Sequence, residues 1–145
     1  MGVLIDNRQK SYSVSEPKIR KNAQAVLSAL DSPDAELSIV IVDDTEIAAL
    51  NQTYLNREGA TNVIAFAMRE GAYADISPQL LGDVVISIET AHRESEVAGM
   101  DPEKRFDQLL VHGILHLFGY NHETDRIEAA RMEGKSEELL KLIEP

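Results

Sequence analysis

The chain has 145 residues, 43% of them hydrophobic and 27% charged, with no cysteine and a formal net charge of −11. That length suits one domain spanning residues 1–145 around a single hydrophobic core, and the lack of cysteine excludes disulfides, thiolate metal sites and cysteine catalysis. The charge argues against bulk, non-specific nucleic-acid binding, and no stretch approaches the roughly 18 uninterrupted apolar residues of a membrane span.

The opening "MGVLIDNRQK" has no basic region followed by an apolar run, so it does not read as a secretory signal. The chain is read as soluble and cytoplasmic, with no membrane partner. Residues 2–6 read as a short strand. Residues 15–30 read as a helix: Ser15 suits its cap, Pro17 its first turn, and Ile19, Ala23, Val26, Leu27 and Leu30 follow helical spacing. "DSPD" breaks that helix, and the β-branched run at 35–44 is a strand. Residues 43–56 form a helix opened by an Asp cap and acidic first-turn residues. A turn over 57–61 leads to a strand over 62–68, then a loop over 69–79. Residues 81–88 read as a buried strand and 89–99 as a helix closed by Gly99. A helix from 101 ends at Gly119, and a last helix runs over 124–143. This pattern predicts an α+β layered fold, one small mixed four-stranded sheet packed by about five helices.

The charge is uneven. Residues 1–30 hold five cations (Arg8, Lys10, Lys18, Arg20, Lys21) against Asp6 and Glu16, a balance of +3, which leaves −14 for the remainder. Each of these cations is read as part of a solvated face.

Three of the four histidines stand in "LLVHGILHLFGYNHETD", residues 109–125. His112 and His116 are four apart on a helix, so they share a face, about 40° apart around the axis and about 6 Å along it. Two imidazoles so placed can point at one ion. His122 would be about 15 Å beyond His112 on a continuing helix. It reaches the same ion only if the chain stops and returns. Gly119 is placed for that, because glycine takes the left-handed conformation that ends helices. The pattern H-x-x-x-H-x-x-G-x-x-H is therefore helix, glycine stop, return. Three neutral imidazoles suit one Zn²⁺ per chain with a fourth position open, the catalytic arrangement. Another divalent transition metal fits the same donors. Glu123, Asp125 or Asp107 would close the site if it were structural.

The spacing matches the metzincin peptidase motif, HExxHxxGxxH, except that its catalytic Glu is replaced by Gly113. A metallopeptidase mechanism therefore loses its base. Met132 is read either as a methionine beneath the metal or as a core residue. His92 is read as a surface residue, and Asp83 as a structural hydrogen-bond acceptor.

"HGILHLFGYNH" looks like the HGxLHLxGYDH signature of the YbeY-type endoribonucleases, rRNA maturation factors of bacteria. "LSIVIVDDTEIAALNQTYLNREGATNVIAFAM" and "LGDVVIS" are similar to further segments of that family, so the resemblance covers most of the chain. Asn121 stands where the family has Asp, and Asn62, Ala65 and Ala67 replace its commoner Asp, Ser and Pro. The resemblance implies a zinc-dependent, single-strand-specific endoribonuclease in small-subunit rRNA maturation and ribosome quality control. Its implied partners are single-stranded rRNA and the small ribosomal subunit, with no DNA. Arg57 matches the family's arginine after the second helix and is the candidate catalytic residue, a bidentate fork for phosphate. A non-catalytic assembly or RNA-binding factor with a structural metal is the competing reading.

Overall fold

The computed structural model describes residues 2–68, 80–120 and 126–144. In chain order its elements are β1 (Val3–Asn7), α1 (Glu16–Ala29), β2 (Glu36–Val42), α2 (Asp44–Leu55), β3 (Val63–Ala67), β4 (Leu80–Ser87), α3 (Ile88–Ala98), α4 (Pro102–Leu117) and α5 (Arg126–Ile143). The strands form one sheet in the order β1-β2-β4-β3. β1, β2 and β4 are parallel, and β3 is the antiparallel edge. The α+β reading with one mixed four-stranded sheet is borne out.

Strand pleating sends alternate residues to opposite faces. Registered rows such as Ile5–Ile39–Val84–Ala65 face one side of the sheet. Ile39 and Val84 are buried there in the main core with Leu27 of α1, Leu110 and Ile114 of α4, and Leu139 of α5. On the other face Val85 and Ile64 pack with Val42 and Ile47 in a smaller core under α2. Beyond α2 this second face opens into a groove that includes Asp6, Ser38, Tyr54, Phe66 and Asp83. Asp83 is half-buried, and no hydrogen bond to its side chain is found among the described residues.

The caps are those the sequence indicates: Ser15 accepts from Lys18 N and Asp43 from Glu46 N. β4 ends one residue earlier than expected, at Ser87, because its hydroxyl accepts from Thr90 N and starts α3 at Ile88. Asp44 joins α2 to α3. Its carboxylate accepts from Ser87 Oγ, Thr90 Oγ1 and Arg93 Nη1, each at 2.6 Å. Burial pushes that carboxyl up, but Arg93, Ser87 and Thr90 together hold it below its usual range. Two of the five N-terminal cations form ion pairs on the solvated face expected of them: Arg8 with Glu46 at 2.6 Å, and Lys18 with Glu103 at 2.6 Å.

Candidate metal centre

α4 opens at Asp101, whose side chain accepts from Glu103 N, with Pro102 in the first turn. From Leu109 to Leu117 every residue is buried except His112 and His116, which are half-buried. A helix that spends its apolar positions on the core thus leaves two imidazoles at its flank. Their Nε2 atoms are 3.1 Å apart, and the rings meet edge to face with centroids 4.6 Å apart. Two nitrogens bound to one tetrahedral zinc at about 2.0–2.1 Å would be roughly 3.3 Å apart. The pair therefore has the bite and the donor chemistry that zinc requires.

The end of α4 is a Schellman turn. Phe118 is the cap, Gly119 follows with φ +94°, Gly119 N donates to His116 O at 3.0 Å, and Tyr120 N donates to Leu115 O at 3.1 Å. A Cβ on Gly119 would meet nothing within 4 Å, so the dihedral, not space, calls for glycine. His122, Asn121, Glu123 and Asp125 lie outside the described residues. Among the described residues no cluster of three His, Cys, Asp or Glu side chains could hold a metal.

Gly113 is buried against the sheet: a Cβ there would lie 2.6 Å from Val84 Cγ1 and 3.3 Å from Val63 Cγ2. A side chain at 113 would enter the core, away from the flank of the histidines. Asp107 is not beside them either. Five residues before His112 it is turned about 140° around α4, and it faces α1, where Asn22 Nδ2 approaches it at 3.5 Å. It lines a cavity between α1, α3 and α4 with Lys18, Asn22 and His92. Burial pushes its carboxyl up to about 6, against the pull of Lys18 and Asn22. Met132 is 2% exposed and belongs to the main core. His92 is half-buried rather than a free surface residue, because its ring stacks on Tyr12 at 3.6 Å.

Arg57 is exposed and follows Asn56, which caps α2 in the left-handed conformation with φ 53°. Its segment enters β3 at Val63, the residue packed under Gly113, hence beside the helical turn that carries His112. Arg105, seven residues before His112, lies on the same flank of α4.

A family model described as Endoribonuclease YbeY matches residues 4–144. The chain belongs to the YbeY endoribonuclease family. An Endoribonuclease YbeY of Geobacter sulfurreducens is 48% identical over 145 residues, covering 99% of this chain and 97% of that one. Its counterpart in Geobacter metallireducens is 47% identical over the same shares. That of Aquifex aeolicus is 45% identical over 116 residues, covering 79% and 74%. The fold is also that of the solution structure of TM1509 from Thermotoga maritima, with a TM-score of 0.68 at 21% identity over 97% of this chain and 88% of that one.

Within this family frame, the sequence reading singled out the histidines and Arg57 but missed the polar set that holds the Arg57 segment. Buried Asn51 donates from Nδ2 to Gly59 O at 3.0 Å. Asn62 Nδ2 lies 3.2 Å from both carboxylate oxygens of Glu94, which also accepts from Arg105 Nε and Nη2 at 3.0 and 2.9 Å. An asparagine inside an otherwise apolar helix face was the signal available for Asn51. The Asn62–Glu94–Arg105 set joins three elements and left no local pattern.

Proposed function

We propose that this chain is a metal-dependent endoribonuclease that cuts single-stranded RNA during maturation of small-subunit rRNA in the cytoplasm, with the small ribosomal subunit as its partner and a role in ribosome quality control. The observation that carries this reading is the His112–His116 pair, whose two Nε2 atoms lie 3.1 Å apart on two half-buried imidazoles of an otherwise buried helix segment. His112, His116 and His122 would hold one zinc ion, with Gly119 ending α4 so that the chain can return. When bound, the metal supplies Lewis-acid polarisation of a phosphoryl oxygen and a water with a pKa near 7.

The chain's own part is orientation and charge. Each liganding imidazole must present a bare Nε2, which fixes its proton on Nδ1. Phosphodiester cleavage needs charge stabilisation more than a side-chain base, so Gly113 is no defect for this reaction. Arg57 would supply the cation, gripping two phosphate oxygens through its planar fork. Its exposed guanidinium forms no ion pair among the described residues, which leaves its donors available for substrate.

The test is single-turnover cleavage of an end-labelled single-stranded RNA by zinc-loaded protein. Arg57→Ala is expected to slow cleavage by about 10²-fold, the scale of losing one preorganised donor, while bound zinc and melting temperature stay as in the parent. Arg57→Lys should recover only part of the loss, because an ammonium makes no bidentate contact. Equal rates for all three would remove Arg57 from the mechanism. An inactive parent that is folded and zinc-loaded, even on ribosomal particles, would favour a non-catalytic assembly factor.

A further inference from the structure

We infer that Asn51 is the positioning residue for Arg57, a role that rests on the phosphate-binding reading of Arg57. Asn51 sits in the last turns of α2 and is 5% exposed, whereas residues 52–60 are all exposed. Three bonds converge on it. Its backbone carbonyl accepts from Asn56 N, and from Arg57 N at 3.2 Å. Its side-chain Nδ2 donates to Gly59 O at 3.0 Å. One residue therefore grips the chain on both sides of Arg57. The segment can turn this sharply because Asn56 and Gly59 both take positive φ, 53° and 90°.

At its far end the same segment is clamped a second time. Asn62 O accepts from Ser87 N at 3.0 Å, and its side-chain amide lies against Glu94, which Arg105 holds in turn. Between these anchors the backbone has one described side-chain bond, the Asn51 amide. Arg57 itself points no contact back into the fold among the described residues. The arrangement is a rigid mount for an exposed cation. A fixed cation serves a transition state better than a mobile one, since misplacement by about 1 Å can cost about 10²-fold in rate. Ala at 51 removes the amide bond, and Asp sets a carboxylate against the Gly59 carbonyl.

The experiment is a double-mutant cycle in single-turnover RNA cleavage with zinc-loaded protein: parent, Asn51→Ala, Arg57→Ala and the double variant. Asn51→Ala is expected to slow cleavage by about tenfold or more, with zinc content unchanged. The double variant is expected to match Arg57→Ala, because a mount without its cation has nothing left to lose. Asn51→Asp, which keeps the side chain's size, should reproduce the loss if the alanine variant folds poorly. Two outcomes overturn the inference: a parental rate for Asn51→Ala and Asn51→Asp, or a double variant slower than Arg57→Ala by the full Asn51→Ala factor. A parental rate for Arg57→Ala refutes the reading of Arg57 and with it any catalytic purpose for the mount. Trypsin cleavage after Arg57 in the folded protein tests the mount without RNA. It should rise severalfold in Asn51→Ala, and an unchanged rate overturns the inference whatever the RNA assay gives.

Discussion

Gly113 shows how one residue can carry two arguments. In the sequence its meaning is chemical: it stands where a related zinc motif has the catalytic Glu. In the fold its meaning is steric, because Val84 and Val63 occupy the space a side chain would need. Periodicity gave the i, i+4 relation of His112 and His116 but not which way the next residue faces, since that depends on where the sheet lies. Gly113→Ala should destabilise the protein by about 1–3 kcal/mol, the cost of an extra methyl in a closed core, read as a lower urea midpoint. An unchanged midpoint would mean that α4 shifts freely on the sheet. The same packing means that Gly113→Glu should create no peptidase, because the carboxylate would be driven into the core.

At the scale of elements, α4 was the most legible part of the chain. Pro102 in its first turn, the apolar 3.6-residue spacing and Gly119 after its last turn mark both ends, and the structure places the helix at Pro102–Leu117. Gly119→Ala should cost about 1–2 kcal/mol for forcing a Cβ into the left-handed region. Gly119→Asn should cost less, since asparagine tolerates that region. On the proposed metal site, zinc affinity should follow the same order, measured by chelator competition. Equal affinity in all three proteins would separate the turn from the metal. What the sequence did not reveal lies between elements. Asp107 reads as a further carboxylate near the histidines, but helical azimuth turns it towards α1, and burial raises its carboxyl to about 6. A carboxyl raised above its ordinary value favours the protonated form in the fold. Its contribution to stability is full below about pH 4 and is lost as pH rises to about 6. Asp107→Asn should therefore stabilise the protein at pH 7.5 by on the order of 1 kcal/mol after allowance for its partial exposure, and the gain should vanish at pH 4 in thermal melts. A gain independent of pH would show that the carboxyl is not strained by burial.

Across the whole molecule the net charge is −11, an unfavourable field for a polyanionic substrate. The positive balance of the first 30 residues is partly offset at the surface, where Arg8 pairs with Glu46 and Lys18 with Glu103. On the proposed function, affinity for RNA would then rest on local features, the metal and the exposed Arg57, and on a protein or ribosomal partner. The layered α+β plan was readable because strands and helices alternate with clear caps. The strand order and the groove beyond α2 were not, because they depend on pairings between segments far apart in the chain. The central claim is that a metal held by the α4 histidines drives RNA cleavage. Its most direct test is single-turnover cleavage of a single-stranded RNA while zinc is titrated into metal-stripped protein. The account predicts activity that rises and saturates near one zinc per chain in the parent, with His116→Ala flat throughout. Full activity in the stripped parent, or a His116→Ala curve that overlays the parent's, would contradict it.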